Sequence, residues 1–128
     1  MGSCPFCAIS AERTWLANGV AVAVADAYPL AQGHTLVIPR KHVSSIYELA
    51  VPEQAEVWKL VGEVREELLA KHHPDGFNIG VNDGLAAGQT IAHAHIHVIP
   101  RRKGDVPDPR GGIRWILAEN APYWRKKN

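Results

Sequence analysis

Little in this chain is extreme, and each thing it lacks removes a class of function. No sign of charge dominates: 14 Lys and Arg stand against 13 Asp and Glu, a formal net charge of +1. That balance supplies no broad field for nucleic acid or for an anionic membrane. No apolar run approaches the length of a membrane span. The start, Met1-Gly2-Ser3-Cys4, lacks the charged and greasy regions of a secretory leader, so a cytoplasmic protein is expected. Repeats, low-complexity tracts and linkers are missing too. With 128 residues, the chain is expected to form one domain over 1–128, with a core over about 4–101 and an extension over 102–128.

Cysteine is scarce, and both residues fall in Cys4-Pro5-Phe6-Cys7. A disulfide framework is not expected in a reducing compartment. The spacing suits half a zinc site, a redox pair or two inert thiols. A thioredoxin-like motif would follow a strand and open a helix, and no strand is expected ahead of this one.

Periodicity sets the fold class. Val20–Ala25 and His34–Ile38 read as two antiparallel strands joined through Asp26-Ala27-Tyr28-Pro29. Ser44 or Ser45 caps a short helical turn through Leu49. Pro52 opens a long helix in which Val57, Leu60, Val61, Val64 and Leu68 share one face. Pro74-Asp75-Gly76 stops it. Phe77–Asn82 alternates as a third strand, and Thr90–Ile99 reads as a fourth. Arg114–Leu117 is expected as an edge strand. The basic end, Arg125-Lys126-Lys127, is expected to solubilise the chain. The class is α+β: an antiparallel sheet of about five strands with one long and one short helix.

What the chain does have is histidine in a particular place. His93, His95 and His97 alternate with Ala92, Ala94, Ile96 and Val98. A strand of that period would put three imidazoles on one face. Clustered imidazoles lower one another's proton affinity, which keeps at least one neutral near pH 7. A neutral imidazole is a nucleophile, a base or a metal ligand. One metal ion on all three is awkward, because same-face positions step by roughly 7 Å while metal bonds are near 2 Å. The preceding Gly88-Gln89-Thr90 offers a turn that suits an anion.

Gly88-Gln89-Thr90-Ile91-Ala92-His93-Ala94-His95-Ile96-His97-Val98-Ile99-Pro100-Arg101 resembles the signature of the histidine triad family. Gly33-His34-Thr35-Leu36-Val37-Ile38-Pro39-Arg40-Lys41-His42 is similar to that family's other recurrent segment. The resemblance implies a hydrolase that cleaves a nucleotidyl phosphoanhydride, such as diadenosine tetraphosphate, through a covalent nucleotidyl-histidine. A purine nucleoside phosphoramidase and a non-catalytic nucleotide-binding regulator are the alternatives. It implies His95 as nucleophile, His97 at the phosphate or leaving group, His93 in support, and Gln89 and Thr90 near the phosphate oxygens beside Gly88. It implies Asp26 on the ribose hydroxyls, with His34 and Asn82 lining the pocket. It also implies a structural zinc on Cys4, Cys7, His42 and His93, no catalytic metal, a purine preference and a homodimer. Thr90 and Arg101 resemble the dinucleoside polyphosphate branch, whereas His97 argues against sugar-nucleotide transfer.

Overall fold

The computed structural model describes residues 4–125; residues 1–3 and the Lys126-Lys127 part of the basic end lie outside them. Five strands form one antiparallel sheet: β1 (Thr14–Ala17), β2 (Ala21–Ala25), β3 (Thr35–Pro39), β4 (Gly76–Val81) and β5 (Ile96–Arg101). Their order across the sheet is β1-β2-β3-β5-β4. The fold is the expected α+β class, but its fifth strand is β1. Arg114–Leu117 instead belongs to a 3-10 segment, Gly112–Asn120. Gly111 and Gly112 enter that segment at φ 90° and 45°, and the Trp115 indole N–H donates to the Arg110 carbonyl at 2.7 Å. Both features coil the chain rather than extend it.

The helix α1 (Val51–His72) lies across one face of the sheet. Its buried residues are the five the periodicity selects: Val57, Leu60, Val61, Val64 and Leu68. They pack with Val37, Ile96, Val98 and the small Ala21 and Ala23. Each large aliphatic side chain so buried contributes roughly 1.5–3 kcal/mol of transfer free energy. Pro52 is the second helical residue rather than the first, a position that also needs no N–H partner. The helix ends at His73 in the left-handed conformation, just before Pro74. Ahead of α1, Ser45 caps the 3-10 turn Ile46–Glu48, and Glu48 reaches back to the Ser44 and Ser45 amides at 2.8 and 3.0 Å.

On the opposite face Val24, Leu36 and Ile38 are covered by the N-terminal segment through Phe6 and Ile9. Gly33 sits where the β2–β3 turn meets the helix end. Its φ is 90°, and a Cβ there would meet His72 and Leu68 at 3.1 Å and Pro100 at 3.2 Å. No helix among the described residues is long and apolar enough to cross a membrane.

Candidate functional site

The histidine strand is shorter than its alternation predicts. Pairing begins at Ile96, so Thr90–His95 is a lead-in rather than part of the ladder. The Ala94 N–H donates to the Val43 carbonyl at 2.7 Å instead of to a neighbouring strand. The strand expected over Thr90–Ile99 is therefore corrected to Ile96–Arg101. His93 is fully buried, with its ring beside the cysteines. His95 and His97 stay neighbours, with ring centroids 5.3 Å apart.

The first cluster gathers Cys4, Cys7, His42 and His93, whose potential ligand atoms all lie within 4.8 Å of one another. His93 Nδ1 is 3.3 Å from Cys4 Sγ, 3.6 Å from Cys7 Sγ and 3.2 Å from His42 Nδ1. Cys7 Sγ is 3.1 Å from His42 Nδ1. Tetrahedral bonds of about 2.0–2.1 Å to nitrogen and 2.3 Å to sulfur separate ligands by roughly 3.3–3.8 Å. His93 Nε2 donates to the Pro39 carbonyl at 2.8 Å, which leaves the Nδ1 lone pair aimed into the cluster. Burial, first, lowers its pKa, which favours the neutral form able to ligate. The donor set fits a tetrahedral metal ion.

The second cluster is Asp26, His34 and His97. Here the backbone places the proton the other way. The Leu30 N–H donates to His34 Nδ1 at 3.0 Å, so neutral His34 carries its proton on Nε2. That nitrogen is 3.0 Å from His97 Nδ1 and 3.3 Å from Asp26 Oδ2. His97 Nδ1 accepts, and its own proton sits on Nε2. Burial, first, lowers both histidine pKa values; for His97, neighbouring His95 and His34 lower it further. With a proton facing inward, this trio is a relay rather than a ligand set. Asp26 Oδ1 also accepts from the Tyr28 N–H at 2.8 Å and so ties down the β2–β3 turn.

His95 lies between the clusters. Its Nδ1–H donates to the His93 carbonyl at 2.9 Å, leaving a lone pair on Nε2. The Phe6 ring meets it edge-on with centroids 5.0 Å apart. Gln89 is differently placed from expectation. Its amide nitrogen donates to the Ser44 and Ile91 carbonyls, its oxygen accepts from the Gly84 N–H, and it is 7% exposed. It pins the loop. The Gly88 and Gln89 amides are likewise used inside the loop, on the Leu85 and Gly84 carbonyls. Thr90 is exposed, and Asn82 is half-buried beside His97. Sequence reasoning missed Phe6 and the backbone groups of Leu30, Val43 and Pro39. Backbone partners leave no mark on residue type.

A sequence model of the HIT domain matches residues 12–104. The chain belongs to the histidine triad family. It is 38% identical to the asymmetrical bis(5'-nucleosyl)-tetraphosphatase of Schizosaccharomyces pombe over 60% of this chain and 42% of that protein. It is 32% identical to the bifunctional bis(5'-adenosyl)-triphosphatase/adenylylsulfatase of Arabidopsis thaliana, over 76% of this chain and 54% of the relative. The chain thus spans about half the length of these relatives. A zinc-bound histidine triad family protein from Mycobacterium smegmatis superposes with a TM-score of 0.69 at 35% identity, covering 91% of each chain.

Proposed function

We propose that this histidine triad protein is a nucleotide hydrolase that moves a nucleotidyl group onto His95 and then onto water. The observation that carries the reading is the His95 Nδ1–H bond to the His93 carbonyl, which holds the nucleophilic lone pair on Nε2. That lone pair attacks the α-phosphorus. An N–P bond forms as the bond to the leaving atom breaks, and the leaving oxygen departs as an anion that accepts a hydrogen bond from His97 Nε2–H. Water then attacks phosphorus, the N–P bond returns its pair to His95, and the water's second proton leaves with the nucleotide phosphate product. An uncharged ring avoids the repulsion that phosphate oxygens impose on an anionic nucleophile. Thr90 and Asn82 are the polar groups nearest to serve the phosphate oxygens, and Asp26 keeps acceptor capacity for a ribose hydroxyl. His93 acts from behind, through its carbonyl.

The substrate we favour is a dinucleoside polyphosphate, as the names of the two hydrolase relatives suggest; a nucleoside phosphoramidate asks the same chemistry of the same residues. Cys4, Cys7, His42 and His93 would hold a structural zinc, as their spacing and the zinc-bound relative support. A closed four-ligand ion would fasten the N-terminus to the lead-in of β5 and supply no open position for substrate.

Turnover of diadenosine tetraphosphate and acid-labile, base-stable labelling of the protein by its nucleotide test this reading. His95→Ala should lose label and on the order of 10⁴-fold or more in kcat. Equal rates in wild type and variant would overturn it.

A further inference from the structure

His97 also stands at the inner end of a second feature, an open groove of about 860 Å³ on the outer face of β4 and β5. One wall is the sheet, with Asn78, Asn82 and Ile99. The other is the chain after β5, with Val106, Ile113 and Ile116. The latter wall falls outside the residues 12–104 that the family model matches. It is braced without help from a ligand. Trp115 and Trp124 meet edge-on with centroids 6.3 Å apart, the Arg110 guanidinium lies 4.6 Å over Trp124, and that of Arg114 lies 4.7 Å over Tyr123. This bracing holds Ile113 and Ile116 at 65% and 71% exposure, an unfavourable place for aliphatic side chains without an occupant.

The groove's charge is already spent. Arg101 is the one Lys or Arg among its described lining residues. Its guanidinium forms a two-pronged pair with Asp105 at 2.7 and 2.8 Å and donates to Asn78 at 2.6 Å. No cation is left over for a long anionic chain, whereas aliphatic side chains and two amides suit an uncharged flat group.

We propose that this groove is a subsite for an uncharged, apolar aryl group carried close to phosphorus on the departing side of the substrate, selected by Ile113 and Ile116. The proposal rests on the hydrolase reading only in naming which side of phosphorus the moiety occupies. Binding tests it separately from turnover. Calorimetry would compare the O-methyl and O-benzyl phosphodiesters of AMP, whose leaving groups are too poor to depart. The benzyl ester should bind the wild type about tenfold more tightly, the scale of a small apolar contact in a shaped pocket. The double variant Ile113→Asp/Ile116→Asp should lose that preference, and Val51→Asp, an exposed change at the start of α1, should keep it. Equal affinity of the two esters for the wild type, including no binding of either, overturns the proposal. So does a preference that survives in the double variant. Sedimentation velocity covers the rival occupant: if the double variant loses the preference only by falling from two copies to one, the groove belongs to a second copy of the chain. An active enzyme with equal affinities would keep the hydrolase reading and sink the subsite. Preference without His95-dependent turnover would do the reverse.

Discussion

The two clusters each hold a pair of histidines, His42 with His93 and His34 with His97, and come out chemically opposite. In the Cys4–Cys7–His42–His93 cluster, the Pro39 carbonyl takes the outer proton of His93, and the inner nitrogen shows a lone pair to two sulfurs. In the Asp26–His34–His97 cluster, the Leu30 amide occupies the outer nitrogen of His34, so the inner nitrogen carries the proton. A carbonyl behind the ring makes a ligand; an amide behind the ring makes a donor. One backbone group in each cluster thus decides whether the inward nitrogen shows a lone pair or a proton.

The hardest blow to this contrast is removal of the proposed zinc. Protein purified without chelator should carry about one zinc, the content of a single closed four-ligand site. Stripping it, or replacing Cys4→Ser, should lower the melting temperature by roughly 10–15 °C, as expected when a ligand held far above its Kd is lost from a domain of this size. Turnover by the chelator-treated protein, assayed well below its new melting temperature, should persist. A metal-free preparation with unchanged melting would show that the first cluster is only four side chains in contact. Loss of turnover with the fold intact would mean the two clusters are not chemically separate.

A smaller effect isolates the relay. His34→Gln removes the inward proton donor and leaves His97 free to hold its proton on either nitrogen. The kcat should fall on the order of a hundredfold, the scale for a lost hydrogen-bond donor to developing charge, while KM stays within a few-fold. The loss should be greatest for substrates with basic leaving groups, which need that hydrogen bond most. A KM effect alone would make His34 a wall of the binding cleft.

Much of this architecture is legible in the sequence, for a physical reason. Helix periodicity depends on burial of one face, and all five predicted apolar positions of α1 are buried. The alternation of Ile96, Val98 and Pro100 is equally faithful, because β5 lies inside the sheet with one face against the helix. The expected zinc ligands also converge, since the motif spacing and the resemblance name residue types that have to meet. What misleads is the lead-in. Ala92-His93-Ala94-His95 has the pattern of a strand, but the amide of Ala94 is taken by Val43 rather than by a neighbouring strand, and pairing starts only at Ile96. Four-residue β1 sits at the sheet edge with no buried position, so its pattern is faint. Ile113, Ile116 and Leu117 look like strand residues yet face solvent, because Trp115, Tyr123 and Trp124 and the two arginines organise that segment around themselves.

The finest test of the contrast is the acid side of stability. The folded pKa values of His34 and His97 lie below the ordinary value of 6.5, burial being the first cause in each. Below pH 6.5 the unfolded chain therefore binds more protons than the folded one at these positions. Stability should be flat above pH 6.5 with respect to these groups and should fall as pH drops toward their folded values. His34→Gln deletes one such group and relieves His97 of one neighbour that lowers its proton affinity. The variant's melting temperature should therefore fall less than the wild type's between pH 7.5 and 5.5, by a margin of about 2–5 °C. The thiol–imidazole cluster is common to both proteins, so its own acid sensitivity cancels from the difference. Parallel curves would mean that His34 does not pay for its neutral state by burial, and the inward proton assigned to it would lose its physical basis.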